Sequence, residues 1–282
     1  MRSYALVLSN DLTDPEAMLS VIEQTRDYID GVKIGITSSM VPGIDVFKIA
    51  KDTLKDKEVN AVLADYKVAD IGFKNNDGEW EGTNEKIIRS LSEAGADYIT
   101  CHTIIGLSSI EESVATAHKH GSKVLTLPYM THKGANLFFG MPLNFEQGKH
   151  IIAELRKYGI LEEDNENAKN NWLYTALDDV RTISDLIIVL GNHFKVDGFI
   201  GPGNDPEVLG RYRMLTNKEI WSPGFGRQDK KQRNLETQIR DWAKVVGPDS
   251  AMIVGSLIYG ADNPGQAAKE VMEIRDKVVS EL

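Results

Sequence analysis

Three charged residues lie within six positions at the end of an apolar run, in the segment "LADYKVADIG" of residues 63–72. Asp65 and Asp70 flank Lys67 in this segment. Carboxylates on both sides favour the charged, protonated form of a lysine. A protonated lysine held in place is a general acid, and an adjacent carboxylate would repel an anionic group of a bound molecule. The segment therefore predicts a site that delivers a proton beside a destabilised anion.

Further polar residues follow apolar runs elsewhere in the chain. Lys33 stands between apolar neighbours in "GVKIG", and a lysine is almost never buried unless it is paired. Asp11 and His102 each follow another apolar run, although an aspartate there also suits a turn and a histidine also suits a core. Lys33 and Asp11, together with Asp65, Lys67 and Asp70, predict an alternating charge network whose members compensate one another.

The elements that would position these residues are short β-rich runs alternating with longer amphipathic stretches. Eight runs predict strands: "YALVLS" (4–9), "GVKIGI" (31–36), "NAVLAD" (60–65), "DYITCH" (97–102), "SKVLTL" (122–127), "VDGFIG" (196–201), "EIWSP" (219–223) and "SAMIVG" (250–255). Nearly all are apolar throughout, which is typical of a parallel sheet covered on both faces. They predict an α/β fold of the (β/α)8 TIM-barrel type, with chemistry at the carboxyl ends of the strands. The alternative is an open doubly wound sheet, but its dinucleotide form needs a glycine-rich turn that "LSNDLTDPEA" lacks.

Residues 1–282 are predicted to form one domain with enlarged loops after strands 3, 5 and 7. The first of these loops, residues 72–82, is turn-rich, and the third extends over residues 227–249. Residues 141–195 hold two helical patterns separated by the polar segment "EEDNENAKNN". We interpret them as a fifth crossover enlarged by one extra helix, with the polar segment as a surface loop.

Capping residues mark several helix boundaries. The residues that suit N-cap or first-turn positions are Asp14 before Pro15, Thr83, and Asn263 before Pro264. Gly95 and Gly121 fall where the left-handed residues that end helices belong.

Composition limits the classes of partner. A formal net charge of −10 and a pI near 5.2 argue against electrostatic binding to nucleic acid or to an anionic membrane. The single cysteine, Cys101, rules out an internal disulfide and a multi-cysteine zinc site. The N-terminal apolar run is too short for a signal-peptide core, and no segment approaches the ~18 apolar residues of a membrane span. We therefore expect a cytoplasmic location.

The segment "ADYKVADI" resembles the D-x-K-x-x-D-I motif of the orotidine 5'-phosphate decarboxylase family. The similarity covers most of the chain, through "LSNDLTDPEA", "VKIG", "TNEKI", "MTHKGA", "SPGFGRQ" and "IVGSLIYGADNP". It implies a TIM barrel that removes the C6 carboxylate of orotidine 5'-monophosphate to give uridine 5'-monophosphate in de novo pyrimidine synthesis. It also implies that the reaction needs neither a metal nor an organic cofactor.

The resemblance further implies a role for each residue of the charge network. Lys67 would deliver a proton to C6 as carbon dioxide departs, and Asp65 would face the substrate carboxylate. Asp11 and Lys33 would hold the ribose hydroxyls and complete the network.

Other residues would complete the site around the nucleotide. Asp70 and Thr83 would reach into the site of a neighbouring subunit, which makes the implied active unit a homodimer. Thr131 would bond the pyrimidine. Gln228 and the backbone at Gly255 would contact the phosphate.

Two barrel enzymes that share the motif, hexulose-6-phosphate synthase and ketogulonate-phosphate decarboxylase, use a metal and have a glutamate where Lys33 stands. A lysine at that position would repel Mg²⁺, so the sequence favours the metal-free decarboxylase.

The chain departs from the family pattern at three places, one of which is the segment 227–249, which is larger than a simple phosphate lid. The family ends strand eight with glycine and a phosphate-binding arginine, whereas this chain has Gly255 and Ser256; Arg227 or Arg233 would then supply the missing charge. The insertion 72–82 separates Asp70 from Thr83 by more residues than the family motif has. Two alternatives stay open: a decarboxylase or lyase of the same superfamily with a different substrate, phosphorylated or not, and a catalytically reduced paralogue that binds a nucleotide or a partner.

Overall fold

Eight parallel strands close into a barrel, each hydrogen-bonded to the next and the last to the first. The computed structural model describes residues 3–40, 45–55, 61–161, 172–226 and 232–282. The strands are β1 Ala5–Asn10, β2 Gly31–Gly35, β3 Ala61–Val68, β4 Tyr98–Cys101, β5 Lys123–Thr126, β6 Gly198–Ile200, β7 Glu219–Pro223 and β8 Ser250–Val254. The closed order confirms the predicted (β/α)8 barrel and excludes the open doubly wound sheet. All eight predicted strands are present, and β3 is longer than predicted because its pairing with β4 resumes at Val68.

Helices cover the outside of the barrel. They are α1 Pro15–Thr25, α2 Ile36–Ser39, α3 Val46–Leu54, α4 Thr83–Glu93, α5 Leu107–Lys119, α6 Phe145–Lys157, α7 Trp172–Asp178, α8 Ile183–His193, α9 Pro206–Leu215, α10 Leu235–Val246, α11 Ser256–Tyr259 and α12 Pro264–Ser280. Asp14 and Asn263 cap α1 and α12 as predicted, whereas Thr83 is the first residue of α4 and Gly82 its N-cap. Gly95 and Gly121 have positive φ, as expected for residues that end helices. Among the helices of the described ranges, none has both the length and the apolar composition of a membrane span.

The described part of the fifth crossover holds three helices, α6 to α8, where the sequence predicts two. The second helical pattern is divided because Thr182 begins a new helix. Its side chain accepts the N–H of Asp185, and the Asp185 carboxylate accepts the N–H of Thr182 in return. The predicted surface loop, residues 162–171, lies outside the described residues.

The barrel interior is filled by side chains at alternate positions of the strands. They include Ala5, Val7, Leu63, Tyr98, Leu125, Trp221, Ala251 and Ile253. The intervening residues, such as Leu6 and Leu8 of β1, pack against the helices. When the same alternation continues toward the carboxyl ends, Ser9, Lys33, Asp65 and Lys67 fall on the inner side, where they line a cavity. The interior therefore changes from apolar to charged at that end.

Candidate active site

Two lysines and two aspartates form a continuous chain of ion pairs at the carboxyl end of the barrel. Lys33 Nζ lies 2.9 Å from Asp11 Oδ1 and 3.0 Å from Asp65 Oδ2. Lys67 Nζ lies 2.8 Å from Asp65 Oδ1. Both oxygens of Asp65 are therefore engaged, one by each lysine. Asp11 follows β1, Lys33 is in β2, and Asp65 and Lys67 are in β3, so three neighbouring strands supply the network.

Two hydroxyl groups fix the carboxylates from the side. Thr100 Oγ1 donates to Asp65 Oδ1 at 3.0 Å, and Ser9 Oγ donates to Asp11 Oδ2 at 2.9 Å. The sequence analysis assigns no role to either residue, although Ser9 lies in the segment "LSNDLTDPEA". The signal available for both is their inward position in the alternating pattern, because Ser9 follows Val7 and Thr100 follows Tyr98 on the inner side of the barrel.

Lys67 reaches Asp65 because β3 is irregular at this point. The pairing of β3 with β4 shifts between Ala64 and Val68. The three residues of β3 between them therefore lie opposite a single residue of β4, Thr100. Lys67 has a φ of 50°, a left-handed conformation that costs roughly 1–2 kcal/mol for a residue other than glycine. Its N–H donates to Thr100 Oγ1 at 2.8 Å, which compensates for the missing ladder hydrogen bond. Strained backbone of this kind is concentrated at functional sites.

Mutual attraction keeps the buried part of the network charged. Burial lowers the pKa of Lys33, but the carboxylates of Asp65 and Asp11 outweigh it and raise this pKa above its usual value. Burial likewise raises the pKa of Asp65, but the ammonium groups of Lys33 and Lys67 outweigh it and lower this pKa. The Lys33 and Asp65 side chains are only 11% and 16% exposed, so water screens their attraction weakly. The Lys33–Asp65 pair is therefore charged at neutral pH.

A cavity of about 230 Å³ opens beside the network. Its lining includes the four charged network residues. The rest of the lining is largely apolar and includes Leu127, Tyr129, Met130, Ile200, Pro202, Pro223 and Ile253. A planar ring with a charged substituent would match such a lining, because binding sites of this kind combine few polar groups with apolar side chains.

The prediction that Asp70 joins the charge network is wrong, because Asp70 lies apart from the ion pairs of Lys33 and Lys67. Its side chain is exposed, and its Oδ1 accepts the N–H of Ile71 at 2.7 Å. The insertion 72–82 nevertheless leaves Asp70 next to the start of α4. Asn84, which follows Thr83, accepts the Asp70 N–H at 3.0 Å and donates to the Asp70 carbonyl at 2.7 Å. The extra residues therefore form a hairpin that leaves and returns at one place.

The remaining predicted site residues lie along the rim. Thr131 lines the cavity, and Gly255 is the N-cap of the short helix α11 that follows β8. Arg233 is already held, because it pairs with Asp241 at 2.7 Å and donates to the Asn204 carbonyl at 2.9 Å. Arg227 and Gln228 lie outside the described residues.

His102, at the end of β4, adds an uncharged ring near the network. Burial lowers its pKa, the Lys67 ammonium lowers it further, and the Asp65 carboxylate acts in the opposite direction. The ring stacks on Phe139 with centroids 6.5 Å apart. In the described part of the chain no group of three or more His, Cys, Asp or Glu side chains is placed to hold a metal ion.

A closed (β/α)8 barrel with lysine–aspartate pairs at the carboxyl ends of its strands has the construction of a barrel enzyme that uses acid–base chemistry. The chain belongs to the Orotidine 5'-phosphate decarboxylase / HUMPS family, whose sequence profile matches residues 4–271. The orotidine 5'-phosphate decarboxylase of Methanocaldococcus jannaschii is 26% identical over 272 residues, which are 96% of this chain and 99% of the relative. That of Pyrococcus abyssi is 27% identical over 270 residues, which are 95% and 97% of the two chains. The predicted family resemblance is therefore confirmed.

Solved structures agree with this assignment. The orotidine 5'-monophosphate decarboxylase of Methanocaldococcus jannaschii complexed with inhibitor BMP matches with a TM-score of 0.70 at 24% identity, over 97% of this chain and 99% of that one. The orotidine 5'-phosphate decarboxylase of Pyrococcus horikoshii matches with a TM-score of 0.66 at 25% identity, over 96% and 99% of the chains.

Proposed function

We propose that this enzyme decarboxylates orotidine 5'-monophosphate to uridine 5'-monophosphate in pyrimidine synthesis, using neither a metal nor an organic cofactor. The observation that carries the proposal is the Asp65 carboxylate held between Lys33 and Lys67 at 3.0 and 2.8 Å beside a cavity. The names of the relatives support the substrate. In addition, Lys33 and Lys67 together balance the charges of Asp11 and Asp65, so these two carboxylates are compensated by side chains of the protein itself.

The chemistry follows from the order of charges along the network. The substrate carboxylate at C6 lies against Asp65, and the two anions repel each other in a site of restricted water access. The bond from C6 to the carboxylate breaks, its electron pair stays on C6, and carbon dioxide leaves. The Lys67 ammonium stabilises the negative charge that develops on C6 and donates a proton to it. Lys67 then takes a proton from water before the next turnover.

Lys33 and Asp11 prepare the site for this step. Lys33 fixes Asp65 through one oxygen and leaves the other to Lys67, so the anion and the acid keep a constant separation. Asp11 is nearly half-exposed and faces the cavity, and its carboxylate accepts hydrogen bonds from the ribose hydroxyls. Pre-arranged charges of this kind need no reorganisation during the reaction, which is the main source of electrostatic catalysis.

The nucleotide is held at its two ends by different loops. Thr131, on the loop after β5 and at the edge of the cavity, bonds the pyrimidine. The backbone at Gly255 and the side chains of Gln228 and Arg227 contact the phosphate. An arginine contact of this type contributes ~1.5–3 kcal/mol per charged hydrogen bond. An Arg227→Ala variant with an unchanged KM would contradict the assignment of that residue.

The active unit is a homodimer in which Asp70 and Thr83 enter the site of the partner subunit. Asp70 is exposed, and its Oδ1 accepts the N–H of Ile71 at 2.7 Å. The loops after β2, β3 and β4 lie side by side around Asp70 and expose large apolar side chains: Ile36, Met40, Ile71, Phe73, Ile104 and Ile105. We name these six residues the apolar rim. Apolar patches of this kind mark protein interfaces, and a second copy that covers it would bring Asp70 to the partner's network.

The proposed reaction is tested by following the loss of orotidine 5'-monophosphate absorbance, with and without EDTA. Lys67→Ala is expected to lower kcat by about 10²–10⁴-fold, the contribution of a positioned general acid. Lys74→Ala is the matched control, because Lys74 is an exposed lysine that pairs with Glu111 at 3.2 Å. Activity that disappears in EDTA, or equal losses in the two variants, would contradict the proposal.

A second candidate is a decarboxylase or lyase of the same superfamily whose substrate has no phosphate. It is motivated by Ser256, an exposed residue at the start of α11 where the family has an arginine. Orotidine and orotidine 5'-monophosphate distinguish the two candidates. The first requires a much larger kcat/KM for the phosphorylated compound, and the second requires similar values for both. Turnover of either compound would exclude an inactive nucleotide-binding paralogue.

A further inference from the structure

Glu112 is a fully buried carboxylate of α5 that lies outside the ion-paired chain. Its Oε1 accepts the N–H of Gly82, the N-cap of α4, at 2.8 Å. Burial raises the pKa of Glu112, whereas the N–H groups of Gly82, Glu85 and Phe73 act to lower it. These N–H groups come from both ends of the hairpin 72–82 and from the first turn of α4. Glu112 therefore serves as the cap that the N-terminus of α4 lacks, since Gly82 has no side chain to cap it.

Two glycines let the hairpin ends approach α5. A Cβ atom on Gly82 would lie 2.6 Å from both carboxylate oxygens of Glu112. A Cβ atom on Gly72 would lie 2.6 Å from the Ser108 carbonyl at the start of α5. Both distances are too short for any side chain, so the two ends of the hairpin rest directly on α5.

The same helix also holds the main chain of Asp70. Ser109, one turn before Glu112, donates to the Asp70 carbonyl at 2.8 Å and accepts the Gly72 N–H at 3.1 Å. Asn84, within the turn capped by Glu112, binds the Asp70 N–H and carbonyl. Ser109, Asn84 and Glu112 are all buried. They form what we name the Asp70 cradle, a set of three buried polar side chains beneath an exposed acidic residue.

We propose that Glu112 is a positioning residue for Asp70 in the partner subunit's site, an inference that rests on the shared-site dimer proposed above. Glu112 fixes the start of α4, the start of α4 places Asn84, and Asn84 fixes the backbone from which the Asp70 carboxylate projects. Replacing Glu112 with glutamine removes the charge toward which the N–H groups of Gly82, Glu85 and Phe73 act, and puts a donor at one of two oxygens of which only Oε1 has a hydrogen-bond partner among the described residues. The start of α4 then shifts, and Asp70 shifts with it. Displacements of about 1 Å remote from the chemistry can cost 10²-fold in rate.

The proposal predicts the activity of hybrid dimers. In a hybrid of one Glu112→Gln subunit and one Lys67→Ala subunit, one site combines the intact Lys67 of the first subunit with the correctly placed Asp70 of the second. That site should work at the wild-type rate, although the Glu112→Gln homodimer is expected to lose about 10–100-fold in kcat/KM. A stability effect of Glu112 confined to its own subunit would leave the hybrid as impaired as the homodimer.

Differently tagged subunits, co-expressed and separated, provide the hybrid. The matched control is Glu111→Gln, which alters the exposed neighbour of Glu112 and should leave the activity unchanged. An Asp70→Ala and Lys67→Ala hybrid tests the shared site by itself: restored activity supports it, and absent activity overturns both the shared site and the role of Glu112. Wild-type activity of the Glu112→Gln homodimer, or an impaired hybrid, overturns the role of Glu112 alone. Ser109→Ala, expected to behave in the same way, replaces Glu112→Gln if that variant does not fold.

Discussion

Lys67 and Thr100 meet across the irregular part of the β3–β4 pairing, where the Lys67 N–H donates to Thr100 Oγ1 at 2.8 Å. The same hydroxyl donates to Asp65 at 3.0 Å. One threonine thus holds the backbone of Lys67 and the carboxylate of Asp65, which ties the geometry of the two proposed catalytic groups to a neighbouring strand.

Thr100→Val should lower both activity and stability. It removes the hydroxyl from a buried position and leaves the Lys67 N–H without its acceptor, at a cost of about 1–3 kcal/mol in unfolding free energy. We expect kcat to fall about 10-fold. A displaced charged group stabilises the transition state less well, and this loss is larger where the dielectric constant is low. Steady-state kinetics and urea denaturation measure the two effects. Thr100→Ser keeps the hydroxyl and should retain most of the wild-type kcat and unfolding free energy. Thr126→Val removes a buried hydroxyl of β5 and should leave kcat unchanged.

Lys33→Met should destabilise the protein more than a surface substitution does. It removes one partner of a pair whose side chains are nearly buried, which typically costs about 3 kcal/mol or more. Chemical denaturation at neutral pH measures the loss. Adding Asp65→Asn to Lys33→Met should recover much of it, because the unpaired charge is then removed. Lys51→Met, which breaks a more exposed pair with Asp97, should cost no more than about 1 kcal/mol.

The stabilising effect of the Asp65 charge should depend on pH in the acid range. Folding lowers the pKa of Asp65 below the usual 3.8, so the unfolded chain binds more protons at this group as the pH falls. The contribution is complete above 3.8 and is lost as the pH falls through the lowered value. Lys33 shows the opposite dependence: its pKa is raised above 10.5, so its contribution is complete below 10.5 and is lost at higher pH. The difference in unfolding free energy between wild type and Asp65→Asn, measured from neutral pH to pH 3, should shrink below 3.8; a constant difference would contradict this.

His102 should report on the charge of Lys67. Burial and the Lys67 ammonium both lower the pKa of His102, so Lys67→Ala is expected to raise it. An NMR titration of the His102 ring measures the change. Lys74→Ala should leave the titration where it is, and an unchanged His102 pKa in Lys67→Ala would show that the two groups are not electrostatically coupled.

A charged residue in the apolar rim should dissociate the proposed dimer. Ile71 is 67% exposed and adjoins Asp70, so Ile71→Glu would place a carboxylate in the interface and oppose association by desolvation. Analytical ultracentrifugation should show a monomer, and activity should fall because the site loses the partner's Asp70. Met214→Glu alters a residue that is 75% exposed on α9 and should leave both properties unchanged. A dimeric, fully active Ile71→Glu variant would place the interface elsewhere.

The barrel is predictable from sequence because eight short apolar runs alternate with amphipathic stretches, and its charged end is predictable because polar residues lie at or just after the ends of several of those runs. Apolar residues at every second position fill the interior, and the same positions become Ser9, Lys33, Asp65 and Thr100 where the strands end. Local patterns of this kind need no knowledge of distant contacts.

Other features depend on contacts between distant segments. "ADYKVAD" has the pattern of a continuing strand, so the left-handed Lys67 and the shifted pairing with β4 leave no trace in it. Glu112 in "SSIEESV" resembles a surface glutamate beside Glu111, and only the docking of the hairpin 72–82 on α5 buries it. The division between α7 and α8 is an exception, since the Thr182 and Asp185 capping box is visible in the sequence.

The hairpin 72–82 has a practical value for protein engineering. Its strands meet through a bridge between Lys74 and Trp80, and its tip around Gly78 is exposed to solvent. The base rests on α5, so added length at the tip costs only the slow, logarithmic entropy of a longer loop. A fluorophore or an affinity tag inserted there would lie near Asp70 without displacing it. A fluorophore would then allow subunit exchange in the proposed dimer to be followed by fluorescence.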